Sequence, residues 1–322
     1  MTIGIGVIGL GVMGAEHVRL LQGETVGAHL VAVSDADAGR AAAVADKTRA
    51  FTDPMALIHD AGVQAVVIAS PDATHAALAK ACLALGKPVL CEKPLATTAA
   101  EALQIVSAET ALGRRLVQAG YMRRFDPAYI AMKAAADDIG APALLHNIHR
   151  NVAAPDWFSG PMAVTNSFVH EIDISRWLLG AEMVSARVQA APGGDPLLIT
   201  MVTDRGVIVS TEVFMNARYG YHVHAELVGS VGTVELAPPS LTRTNHAWHH
   251  GHSYPENWVP RFRDAYRAQM NGWVASLAGG EPVGASAWDG YVATAVAEQI
   301  AAGMGGEKTI PLRLPPRPDL YH

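Results

Sequence analysis

Three glycines, Gly9, Gly11 and Gly14, follow the apolar run Ile5, Val7, Ile8 and precede a helical stretch from Ala15 to Leu21. A glycine-rich turn between a buried strand and a helix can hold a phosphate. The first glycine allows the tight turn, the second lets backbone approach a pyrophosphate, and the third lets helix and strand pack closely; Val12 and Met13 lie in the same turn. The N–H groups at the helix start then face the phosphates, with the positive end of the helix dipole behind them. A second apolar run, His29 to Ser34, ends at Asp35. An acidic side chain there accepts hydrogen bonds from an adenosine ribose and repels a 2′-phosphate, so the pattern points to NAD rather than NADP. Arg40 follows close behind and is read as a solvated residue of the next helix.

Two further places carry chemistry. Glu92-Lys93-Pro94 ends a fourth strand-like run. A lysine there, beside a nicotinamide, can hydrogen-bond a substrate hydroxyl and favour the alkoxide as it forms. The alternative is a surface lysine with a salt-bridge partner, and spacing alone leaves both open. In the helical stretch from Asn166 to Asp173, Asn166 and His170 are four apart and share a face, with Asp173 on its edge. Such a histidine is either a general base for a hydroxyl proton or a structural residue; its pairing with Lys93 favours the base. The run from Asn245 to His252 holds four histidines in seven residues but no acidic or cysteine ligand, so a mobile loop is expected there and no metal.

These residues need a scaffold, and the pattern supplies one. Apolar runs at 65–69, 88–91 and 115–119 alternate with helical stretches at 73–85 and about 97–112. Apolar strands separated by helices mean a parallel sheet covered on both faces, which binds ligands beyond the carboxyl ends of its strands. Ser70, Lys93 and the Tyr121–Arg124 stretch fall at such ends. Beyond about residue 125 come a helix at 126–136, an extended run at 143–151, the helix 166–179, four or five strand-like runs between 183 and 236, and two closing helices at 261–278 and 287–302. The expected fold class is α/β: a Rossmann dinucleotide-binding domain over residues 1–122, then an α+β domain over 123–322 with a large, mostly antiparallel, open-faced sheet. So few helices leave one sheet face bare, which another subunit is expected to cover.

Composition narrows the class further. The 322 residues are 50% hydrophobic and 17% charged with a net charge of −6, which suits a globular protein and not a nucleic-acid binder. No apolar stretch reaches membrane-spanning length, and a strand begins almost at the N-terminus, so neither an anchor nor a signal peptide is expected. Two cysteines, Cys82 and Cys91, read as free thiols in a reducing compartment, the cytoplasm.

With these pieces in place the chain resembles the Gfo/Idh/MocA oxidoreductases and, within them, is most similar to the inositol 2-dehydrogenases. The resemblance runs through the glycine turn, Cys91 to Thr98, Met122 to Asp126, His149-Arg150-Asn151, His170 to Asp173 with Trp177-Leu178, Tyr219-Gly220-Tyr221 and Trp288 to Tyr291. It implies a homotetramer built through the open sheet and a reversible oxidation of a cyclitol ring hydroxyl to a ketone by NAD. It also implies that His170 takes the hydroxyl proton beside Lys93. Arg123, Asn151, Trp157 and Tyr221 would line the polyol pocket, and Ser70, His75 and Glu92 would contact the cofactor. One position departs from the family pattern: Asn166 stands where an aspartate is usual. An amide keeps an acceptor but loses the charge, so His170 should hold a proton less tightly than beside an aspartate. Either Asp173 supplies the orienting charge or the pocket is retuned to another hydroxyl pattern. The same chemistry on an aldose or amino-cyclitol, or a non-catalytic NAD-binding sensor, are the alternatives.

Overall fold

The computed structural model describes residues 2–44, 48–158, 160–237, 240, 242–279, 282–306 and 308–322. The chain divides into two compact units: Met1–Met122 with Tyr266–Ala295 and Pro315–His322, and Arg123–Ala265 with Val296–Leu314. The sequence reading ran the second domain unbroken to residue 322. The two returning segments correct it, because periodicity shows that a helix exists but not which core takes its apolar side.

In the first unit, strands β1 (Ile3–Ile8), β2 (Ala28–Ser34), β3 (Arg49–Phe51), β4 (Ala65–Ile68), β5 (Val89–Cys91) and β6 (Val117–Ala119) alternate with helices α1 (Val12–Gly23), α2 (Ala38–Val44), α3 (Pro54–His59), α4 (His75–Ala84) and α5 (Ala99–Leu112). The strands lie in the order β6-β5-β4-β1-β2-β3 and pair in parallel. A short strand, Ala285–Ser286, adds antiparallel to β6. The order reverses between β1 and β4, and ligands of such sheets bind beyond the strand ends at that point. Ile5, Val7, Val33, Val66, Val67, Ile68 and Leu90 are all buried, as strands covered on both faces require. Each such side chain contributes roughly 1.5–3 kcal/mol by burial. Thr98 caps α5 by accepting from the Glu101 N–H at 3.2 Å, and Gly113 ends it in the left-handed region. β3 and α3 lie outside the runs recognised by pattern, although Asp53-Pro54 is a helix-start signal: the Asp53 carboxylate accepts from the Met55 N–H at 2.9 Å.

The second unit is built on β7 (Pro142–Arg150), β8 (Met183–Ala190), β9 (Leu197–Thr203), β10 (Ile208–Phe214), β11 (His222–Gly229) and β12 (Thr233–Glu235), ordered β12-β11-β7-β10-β9-β8, with Ile310–Pro311 along β8. Only β7 and β10 pair in parallel; the other pairs are antiparallel. Helix α6 (Pro127–Ala135) precedes β7. After β7 come a single turn, α7 (Gly160–Met162), a π-helical segment (Ala163–Phe168) and α8 (Val169–Leu179). Strict alternation buries Leu145, Asn147 and His149 of β7 with Val209, Thr211 and Val213 of β10. The Asn147 amide reaches the Ser175 hydroxyl of α8 at 3.2 Å, so α8 lies over that face. On the opposite face Ile208 and Val202 are cross-strand partners and both exposed.

The histidine run is not a loop. β13 (Arg243–His246) and β14 (His249–His252) pair as a hairpin whose two turn residues, Ala247 and Trp248, take φ of 46° and 67°. That is the primed-turn geometry, adopted here without the asparagine or glycine that announces it in a sequence. Among the described residues no group of three side chains is placed to hold a metal, and no helix is long and apolar enough to cross a membrane.

Candidate active site

The glycine turn does what its spacing asks. Gly9 has φ of 86°, and a Cβ there would lie 2.4 Å from the Ser70 amide nitrogen after β4. A Cβ on Gly14 would lie 1.7 Å from the Gly9 carbonyl oxygen, so only glycine lets α1 sit this close. At Gly11 a Cβ would meet nothing within 4 Å. That residue borders the open side of the cradle, where backbone N–H groups can approach a pyrophosphate. Gly11 is the N-cap of α1 and has no capping side chain, and no acid lies in the first turn, so the helix start presents positive charge. Val12, 65% exposed, and Met13 open the helix on that side.

Asp35 follows β2. One carboxylate oxygen accepts from the Leu10 N–H of the glycine turn at 2.8 Å, and the other from the Asp37 N–H at 2.9 Å. The acid therefore fixes the turn as well as presenting charge. Arg40 lies on α2, mostly exposed, 3.5 Å from Asp35 and 3.3 Å from Asp37.

At the ends of β4 and β5 the side chains divide. The Ser70 hydroxyl shares a hydrogen bond of 2.6 Å with Thr74. Glu92 is buried and bonded to His17 of α1 at 2.8 Å. His75 is buried too, with its ring nitrogens 2.7 Å from the Pro94 carbonyl and 2.8 Å from the Ser70 carbonyl. Glu92 and His75 were expected to touch the cofactor. In the structure both also have protein partners, as buried polar groups require. Lys93, half-buried, follows Glu92 directly, and its bond to Pro94 is cis.

In the second unit a buried ion network underlies the candidate base. Arg123, 1% exposed, donates to Glu171, whose second oxygen is 3.0 Å from Nδ1 of His149. Burial opposes the Glu171 charge, yet Arg123 and His149 outweigh it and hold its carboxyl below the usual range. Nδ1 of His149 faces Glu171, and the Asn151 amide approaches Nε2 at 3.4 Å. The His149 ring stands 6.4 Å from the His170 ring and edge-on to Tyr221 at 6.0 Å. Arg123, expected to line a polyol pocket, takes part in this network. Its neighbour Arg124 forks onto Asp173 at 2.9 and 2.6 Å. Asn166 lies in the π-helical segment, not in regular α-helix. Val164, Thr165, Asn166 and Ser167 are poor helix interiors, and the Thr165 hydroxyl bonds back to the Pro161 carbonyl at 3.4 Å. Wide turns of this kind recur at functional sites. Tyr221 is buried, Asn151 is half-buried and Trp157 is 71% exposed in a turn. Sequence reading missed the Glu171–His149 and Glu92–His17 pairs. The β7 alternation that buries His149 was the available signal for the first, and none marked the second.

A phosphate cradle at the switch point of a parallel sheet, an acid at the end of the second strand and a lysine at the end of the fifth define a nicotinamide-dependent oxidoreductase. The chain belongs to the Gfo/Idh/MocA oxidoreductase family: residues 3–121 match its NAD-binding Rossmann fold and residues 138–312 its C-terminal α/β domain. It is 52% identical to inositol 2-dehydrogenase 1 of Saccharopolyspora erythraea, covering 100% of this chain and 99% of that one. It is 41% identical to the inositol 2-dehydrogenase of Paracoccus denitrificans, covering all of both. Among solved structures, myo-inositol dehydrogenase of Lactobacillus casei in complex with NAD(H) and myo-inositol matches with a TM-score of 0.95 at 32% identity over all of both chains.

Proposed function

We propose that this protein oxidises a ring hydroxyl of a cyclitol of the myo-inositol type to the ketone, using NAD. The observation that carries the reading is Lys93 at the carboxyl end of β5, in a unit whose glycine cradle and Asp35 suit NAD. Full-length similarity to proteins named inositol 2-dehydrogenase supports the substrate class. When bound, NAD supplies the hydride acceptor. His170 accepts the hydroxyl proton, and the Lys93 ammonium favours the developing alkoxide by charge and hydrogen bond. Gly9, Gly11, Val12, Met13 and Gly14 hold the pyrophosphate, Asp35 the ribose, and Ser70 borders the cofactor. Asn151, Tyr221 and Asn166 are the residues assigned to the polyol, with His149 setting the position of Asn151. Both Asp173 oxygens are bonded to Arg124, which favours the view that Asn166 retunes hydroxyl recognition over the view that Asp173 replaces a missing charge.

The bare sheet face supports a homotetramer, and the two free thiols suit a reducing cytoplasm. The test is NADH formation with myo-, scyllo- and D-chiro-inositol, glucose, xylose and an amino-cyclitol, with Lys93→Ala as control. Turnover of one cyclitol, lost in the variant, is the expected result. Turnover of an aldose alone would move the substrate class. Silence across the panel with tight NAD binding would turn the reading toward a sensor.

A further inference from the structure

His75 is the first residue of α4, buried beneath the ends of β4 and β5. One ring nitrogen lies 2.8 Å from the Ser70 carbonyl, two residues past β4. The other lies 2.7 Å from the Pro94 carbonyl, one residue past Lys93. A neutral imidazole has one N–H and one bare lone pair. In either neutral tautomer a ring lone pair would face a carbonyl lone pair at hydrogen-bond distance, which is repulsive. Only the doubly protonated ring satisfies both contacts.

We propose that His75 is a positioning residue for Lys93: as an imidazolium it donates to the Ser70 and Pro94 carbonyls together and ties the lysine-bearing strand end to its neighbour. Burial disfavours the charged ring, but the Cys91 sulfur of β5 and then the two carbonyls act the other way and push its pKa up to about 10. The positive start of α4 also opposes the cation, so the contacts must exceed that opposition as well. The tie is braced on one side already, since Ser70 and Thr74 share a hydroxyl hydrogen bond. On the other side the Pro94 carbonyl belongs to the residue bonded to Lys93, so holding it restricts where the Lys93 Cα can sit. A lysine displaced by about 1 Å from a reacting hydroxyl loses about a hundredfold in rate.

This inference rests on Lys93 being the group that meets the substrate hydroxyl, and the experiment separates the two. The full chain with NAD bound is labelled with 15N-histidine, and ring nitrogens are correlated with ring protons near pH 7.5, using His75→Gln to assign the signals. Both His75 nitrogens are expected at protonated shifts; one unprotonated nitrogen overturns the proposal. The amide of His75→Gln carries both N–H donors on one nitrogen, so it cannot span two carbonyls set for the separated ring nitrogens. Its kcat is expected to fall at least tenfold with the KM for NAD within about threefold and the melting temperature little changed. Wild-type kcat in that variant, or NAD affinity lost in step with kcat, overturns the positioning role. If the variant does not fold, the wild-type ring signals, assigned by elimination against the other histidines, decide. If the wild type turns over no cyclitol, the functional reading has failed while the ring signals still report on the tie.

Discussion

Lys93 and His170 carry the proposed chemistry, and their contributions differ in kind. Lys93→Ala removes a charge needed only as the alkoxide forms, so kcat should fall by about 10²–10⁴ while NAD binding, read by fluorescence titration, stays intact. Asn166→Asp adds a negative charge one wide turn before His170. The charge favours protonated histidine, so the acid limb of the pH–rate profile should move to higher pH and the ranking of inositol isomers should change. An unmoved profile and ranking would remove Asn166 from the site. These candidates stand out in the sequence because their types are unusual for their places: a lysine at the end of a buried strand, a histidine between polar neighbours. The fates of Arg123, His75 and Glu92 were not legible. Each has a buried partner far away in sequence, and no spacing rule connects position 123 to 171 or 17 to 92.

At the scale of elements, the glycine turn separates packing from binding. Gly11→Ala places a methyl in open space at an ordinary φ of −66°, so the protein should melt within a few degrees of wild type yet bind NAD at least tenfold more weakly by calorimetry. Gly14→Ala forces a methyl against the Gly9 carbonyl and should lower the melting temperature as well. If Gly11→Ala binds NAD like wild type, the cradle is not where the pyrophosphate sits. On α8, Glu171 holds Arg123 and His149 in a buried network. Because its folded pKa lies below the unfolded value, its stabilisation is present above the ordinary carboxylate range and is lost as pH falls through the lowered pKa. Glu171→Gln should cost about 3–5 kcal/mol in denaturant unfolding near neutrality and flatten the loss of stability on acidification. The strand runs of the second sheet were readable from alternation, while the π-helical segment was not. Its geometry depends on how the polar run at 165–167 meets the packing of α8, and a single-sequence pattern records only an approximate helical period.

For the whole molecule, the open face of the second sheet bears directly on assembly. Ile208 and Val202 lie opposite each other across β10 and β9 as a short exposed apolar strip, and Leu198, opposite Glu212, is exposed farther along β9. A mass near four chains by light scattering is expected for wild type, and Ile208→Glu, which puts a charge into that strip, should give a smaller species with its far-UV spectrum preserved. A monomeric wild type would leave the strip unexplained.

The sequence by itself determined the parallel dinucleotide sheet, the second antiparallel sheet and the cofactor class, and it singled out Lys93 and His170 as the pair to test. Each is written in local signals: period, glycine spacing and residue type at a strand end. Tertiary structure alone decided which carbonyls His75 clasps, that Arg123 and Glu92 have buried partners, that Asp35 braces the glycine turn, and that the segments 266–295 and 315–322 belong with the first unit. The physical reason is the same throughout. A buried polar group must find its partner in three dimensions, and that requirement acts between residues the chain order keeps far apart.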